Sequence, residues 1–171
     1  MSPRARLLTA FLVVLLAAVP AGLEAKVRVV ATVLPLGEFA SLIAGDRAEV
    51  SLLLPPGAGV HTWQPRPADI SRLAKADLLL YIGADLEPWL PGLLEALPGR
   101  RLRTFEASSG SPMIEAHDEH EAGEAAHGPL DPHVWLDLEI DVRIVGGIAE
   151  ELSAIDPEGR EFPAYSFPLS G

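Results

Sequence analysis

The sequence predicts an α/β fold, a parallel sheet of about four strands with flanking helices, and two patterns support it. Short β-branched or leucine-rich runs alternate with amphipathic stretches of about ten residues, and the runs are apolar almost throughout, as strands covered on both faces must be. A chain of 171 residues with 49% hydrophobic composition is long enough for one domain with a substantial core.

The elements follow in order. Arg4 and Arg6 precede an apolar run from Leu7 to Val19, followed by Pro20, Ala21 and Gly22. This is the layout of a secretory signal, and the run is too short to anchor in a bilayer. Cleavage after Ala21 or Ala25 fits, so residues 1–25 are read as a signal peptide and the mature chain begins near Lys26. A first strand from Lys26 to Leu34 ends at Pro35. A helix from Leu36 to Ala44 places Leu36, Phe39, Ala40 and Ile43 on one face and stops at Gly45. A second strand, Ala48 to Leu54, is broken by Pro55 and Pro56. The loop to Pro67 holds His61 and Trp63.

Asp69 to Ala76 reads as a helix, Asp77 to Ile82 as the third strand, and Glu87 to Leu97 as a helix through Trp89, Leu90, Leu93, Leu94 and Leu97. Arg101 to Glu106 is the fourth strand, leading into a long loop that ends at Pro132. A longer helix, Ile140 to Ile155, carries Ile144, Val145, Ile148, Leu152 and Ile155 on one stripe. Gly146 and Gly147 in its middle cost about 1 kcal/mol each relative to alanine, so this helix needs a packing partner. The segment from Asp156 to Gly171, with Pro157, Pro163 and Pro168, predicts no further element.

Right-handed crossovers put every strand's carboxyl end on one edge, where ligands of such sheets bind. His61 follows the second strand and His133 the fourth, so both belong to that edge. The formal net charge of −11 argues against nucleic-acid or anionic-membrane partners and suits an exported protein that deals with cations. Cysteine is absent, which removes disulfides, thiolate ligands, thiol nucleophiles and the acylated cysteine of a lipoprotein. A free periplasmic protein without a membrane anchor is the expectation.

Of the five histidines, all but His61 lie between Glu115 and Asp137. Imidazole and carboxylate are the side chains that hold borderline divalent metals. His133 sits in Asp131-Pro132-His133-Val134-Trp135-Leu136-Asp137, where Asp131 or Asp137 can orient the ring by accepting from its second nitrogen. The plainer alternative is a turn histidine with Asp137 as a helix N-cap. His61 is either a ligand or a solvated loop residue, in a loop shaped by Gly57, Gly59, Pro65 and Pro67. His117, His120 and His127, among Glu115, Asp118, Glu119, Glu121 and Glu124, form either a flexible weak site for zinc, copper or nickel or an acidic solubilising flap. Enzyme signatures are missing: there is no GxSxG, P-loop lysine or HExxH. Glu150 and Glu151 read as a solvated helix face, and Asp85 and Glu87 as carboxylates that end a strand and cap a helix near the cleft.

In this order VVATVLPLGEFASLIAGD, GVHTWQPRPADI, KADLLLYIGADLEPWL and DPHVWLDLEI, with a His/acid-rich insert before the last, resembles the zinc- and manganese-binding solute receptors of metal ABC importers. The resemblance covers residues 27–158, and the order of four motifs makes it more specific than any one of them. It implies two βα lobes joined by a long helix with one metal ion between them, the first-lobe ligands falling on His61 and His133.

The implied organisation is a signal peptide at 1–25, a βα metal-binding lobe at 26–137 with a His/acid-rich loop at 115–128, the start of a linker helix at 138–156, and an irregular tail at 157–171 with the second lobe absent. The family's other ligands, a histidine or glutamate and an aspartate or glutamate, come from that second lobe. Two imidazoles leave a four-coordinate zinc half satisfied, so high-affinity capture is expected to be compromised. The implied cargo is Zn²⁺, with Mn²⁺ as the alternative and His117, His120 and His127 as low-affinity collectors. The implied partner is the importer's membrane permease, and the receptor is expected to be a monomer and not an enzyme. Two other readings stand beside it: a secreted metal-dependent hydrolase using both histidines and Asp131, and a fragment without transport function.

Overall fold

The computed structural model describes residues 25–97, 102–111 and 131–159. The elements are β1 (Val27–Ala31), α1 (Leu34–Ala44), β2 (Ala48–Leu52), α2 (Pro67–Leu73), β3 (Leu78–Tyr81), α3 (Leu90–Glu95), β4 (Arg103–Glu106) and α4 (Leu138–Ile155), with 3₁₀ turns at Gly45–Arg47, Val134–Leu136 and Pro157–Gly159. The four strands form one sheet in the order β2-β1-β3-β4, and every pairing is parallel. The expected α/β architecture is the one observed.

Successive strand residues point to opposite faces, and each face has its own helices. On one face Val29, Ala31, Leu78 and Leu80 pack with Leu36, Ala40 and Ile43 of α1 and with Ile144, Ile148 and Leu152 of α4. On the other, Val30 and Leu79 pack with Leu73 of α2 and with Trp89, Leu90 and Leu93 at α3. This double cover is why the strand sequences alternate so little.

Prolines set the boundaries differently from the sequence expectation. Pro35, Pro67 and Pro91 each occupy the first turn of a helix, where a missing N–H costs nothing. So α1 begins at Leu34 and α2 at Pro67, earlier than expected, and β1 ends at Ala31. The second strand stops at Leu52, yet its ladder runs on through Leu53 N–H to the Ala31 carbonyl at 2.8 Å. The helix expected at Glu87–Leu97 shrinks to Leu90–Glu95, because Glu87 is committed elsewhere.

Helix α4 has the packing partner its glycines require. Ile140, Ile144, Ile148 and Leu152 form its buried stripe. A Cβ on Gly147 would lie 2.3 Å from the Phe105 ring, so glycine is what lets α4 lie down on β4. Gly146 faces open space, and the structure shows no packing reason for it. Arg103 bonds Glu151 at 2.5 Å, and Arg47 bonds Asp156 at 2.5 Å, tying the far end of α4 to the turn after α1. The residues expected to be irregular after Asp156 include the 3₁₀ turn Pro157–Gly159, with Gly159 N–H donating to Asp156 Oδ1 at 3.1 Å. Residues 1–24 and 160–171, expected to be a signal and an irregular tail, lie outside the described residues. No helix among the described residues is long and apolar enough to cross a membrane.

Candidate metal site

The two candidate histidines hang from the two edge strands, His61 after β2 and His133 after β4. At nearly 5 Å per strand those edges lie about 14 Å apart, so loops running straight on could not share one ion. Val60 and Val134, each adjacent to a candidate histidine, pack against the same core cluster under α1 and α4.

The His61 loop is built from tight turns. Gly57 adopts φ 79°, a left-handed angle that favours glycine, and Ala58 N–H closes a turn onto the Pro55 carbonyl at 3.1 Å. The Gly59 carbonyl then accepts from Thr62 N–H at 3.2 Å and from Trp63 N–H at 3.0 Å, so His61 lies inside a closed turn. Trp89, in the segment after β3, donates its indole N–H to the Val60 carbonyl at 2.6 Å. The Trp63 and Trp89 rings meet edge to face with centroids 4.6 Å apart. Val60 thus belongs to one core and Trp63 to the other, and the loop folds over the end of the sheet.

His133 is bonded to Asp131 and packed on Trp135, both close to it in the chain. One Asp131 oxygen accepts from the His133 backbone N–H at 2.9 Å and lies 2.7 Å from the ring Nδ1. The ring stands edge to face with Trp135 at 5.2 Å, and its side chain is 41% exposed, open enough to reach a ligand. Asp137 accepts from Glu139 N–H at 2.8 Å and Ile140 N–H at 3.3 Å as the N-cap of α4. The ring-orienting and capping roles, alternatives in the sequence, are divided between Asp131 and Asp137.

Glu87 corrects an expectation. It does not cap a helix: the N-cap of α3 is Trp89, which makes no side-chain cap bond. The Glu87 carboxylate is instead buried and accepts from Thr32 Oγ1 at 2.5 Å, Ile82 N–H at 3.0 Å and Gly83 N–H at 3.0 Å. Burial pushes its carboxyl above the usual range, against the opposing pull of those donors. The turn it secures is strained, since Ala84 and Asp85 have φ of 49° and 61°, and Leu86 N–H closes on the Gly83 carbonyl. Asp85, also expected near the cleft, is exposed in that turn.

Among the described residues, no three or more histidine, aspartate or glutamate side chains are grouped to hold a metal ion. His117, His120 and His127 lie outside the described residues. The sequence placed Glu87 near the cleft but gave no clear sign of Trp89 and Thr32 as parts of this end of the sheet. The only signal was an acid and a tryptophan flanking Pro88 in an apolar segment, which reads equally well as a helix start.

A family model described as zinc-uptake complex component A, periplasmic, matches residues 29–164. Among curated proteins, the chain is 33% identical over 143 residues to the high-affinity zinc uptake system protein ZnuA of Bacillus subtilis, covering 80% of this chain and 44% of that one. It is 34% identical over 142 residues to the manganese ABC transporter substrate-binding lipoprotein PsaA of Streptococcus pneumoniae, covering 80% and 44%. The crystal structure of the Zn(II)-bound ZnuA-like domain of Streptococcus pneumoniae AdcA superposes with a TM-score of 0.67 at 30% identity, covering 81% of this chain and 48% of that one. The chain spans less than half the length of each of these relatives.

Proposed function

The chain belongs to the family of periplasmic zinc-uptake component A proteins, and from that premise we propose that it is a metal-capturing receptor, not an enzyme, whose cargo is Zn²⁺ with Mn²⁺ as the alternative. It works outside the cytoplasm and passes the ion to the permease of an ABC importer. His61 and His133 bind the ion as neutral imidazoles. The observation that carries this reading is that both histidines follow strands of one parallel sheet, on the side of its carboxyl ends, and that one of them holds its imidazole against a carboxylate. With Asp131 on Nδ1, ligation falls to the Nε2 of His133, the arrangement by which a second carboxylate fixes tautomer and raises ligand basicity. The relatives named for zinc and for manganese support both the cargo class and the permease partner.

Two imidazoles fill half of a tetrahedral zinc site, so on this stretch of chain the other positions fall to water and affinity is lower than a four-ligand site gives. The His117, His120 and His127 loop collects metal weakly. Calorimetric titration with Zn²⁺, in a background where those three are alanine, tests the site. The His61→Ala, His133→Ala double variant is expected to lose the binding isotherm, and unchanged binding removes the cleft site. Parallel titration with Mn²⁺ ranks the two metals.

A further inference from the structure

We infer that Trp89 is a positioning residue for His61, acting through the carbonyl of Val60. That carbonyl belongs to the peptide bond that leads directly into His61, so the 2.6 Å bond from the Trp89 indole fixes the plane from which the imidazole departs. A buried indole N–H needs an acceptor, and Trp89 is only 7% exposed. Its ring also meets Trp63, so Trp89 grips the loop on both sides of His61. A loop carrying Gly57 and Gly59 has much conformational freedom to lose, and such a grip removes it before a ligand arrives.

Trp89 is itself anchored. Two residues earlier, Glu87 is bonded to Thr32 after β1 and to the backbone at the end of β3. Residues 87–89 therefore form a strap from the two central strands to the loop of an edge strand. The strap ties the loop of His61, which follows β2 at the sheet's margin, to the two central strands.

This inference rests on His61 being a metal ligand, and a double-mutant cycle separates the two ideas. Zn²⁺ is titrated into the full chain, with His117, His120 and His127 replaced by alanine, as the parent, Trp89→Phe, His61→Ala and their combination. Trp89→Phe keeps an aromatic ring but no N–H, and the expected loss is on the order of tenfold in affinity, as for other groups that hold a ligand in place. The same substitution added to His61→Ala is expected to cost nothing further.

Trp63→Phe, which perturbs the same ring pair but not the bond to Val60, is expected to weaken binding less than Trp89→Phe. Equal losses from Trp89→Phe with and without His61, or parent-like binding by Trp89→Phe beside weak binding by His61→Ala, overturns the positioning role. Parent-like binding by His61→Ala overturns the ligand assignment itself and this inference with it. Should Trp89→Phe fail to fold, Glu87→Gln stands in, with the same expected dependence on His61.

Discussion

The His133 loop and the His61 loop present the same side chain by opposite means. His133 is fixed by residues within four positions of it: Asp131 on its ring and backbone, Trp135 on its ring edge, and Asp137 starting the helix that follows. His61 is fixed from a distance, by Trp89 on the carbonyl beside it and by Glu87 behind Trp89. A local device survives loosening of the rest of the sheet edge; a remote one is only as firm as the elements that carry it. The two loops should therefore fail separately.

The largest expected effect is on the remote side. Glu87→Ala leaves the Thr32 hydroxyl and the Ile82 and Gly83 N–H groups without their acceptor, at a cost of about 3 kcal/mol in urea unfolding. Amide exchange should quicken between Gly59 and Trp63 while the start of α4 keeps its protection. Equal quickening in both places breaks the comparison.

Next, on the local side, Asp131→Ala should lower Zn²⁺ affinity about tenfold with unfolding stability within about 0.5 kcal/mol of the parent, since Asp131 is exposed. A large stability loss means that Asp131 is structural and not an orienting group. Asp137→Ala should cost about 1 kcal/mol by removing the cap of α4, and should fray residues 138–140 without disturbing the His61 loop.

The smallest effect is one of pH. Burial holds the Glu87 carboxyl above its ordinary value of 4.5, so over that interval the folded chain binds more protons than the unfolded one. Stability from this group is full below 4.5 and is lost as pH rises through the folded value. Glu87→Gln cannot ionise and should flatten that decline in urea melts taken at stepped pH.

Legibility in the sequence followed the same division. Asp131, His133 and Asp137 lie within one motif, and both roles offered to the two acids, ring orientation and helix capping, were written in their spacing. The strap was not. Glu87 and Trp89 lie in a stretch whose apolar spacing suits a helix, and nothing local reports that a carboxylate will turn back to the strand ends or that an indole will reach a loop before β3. Pro35 misled for a related reason: it marks a boundary, but whether it ends one element or begins the next depends on what the backbone does around it.

By itself the sequence determined the parallel α/β sheet, the buried stripe of α4 and the assignment of both histidines to loops after strands, because side-chain periodicity and turn chemistry act over a few residues. The tertiary structure alone decided the strand order β2-β1-β3-β4, the placing of the two histidines' strands at opposite edges, and the grip of Trp89 beside His61. Those depend on groups far apart in the chain, whose hydrogen bonds and packing exist only once the sheet has brought them together.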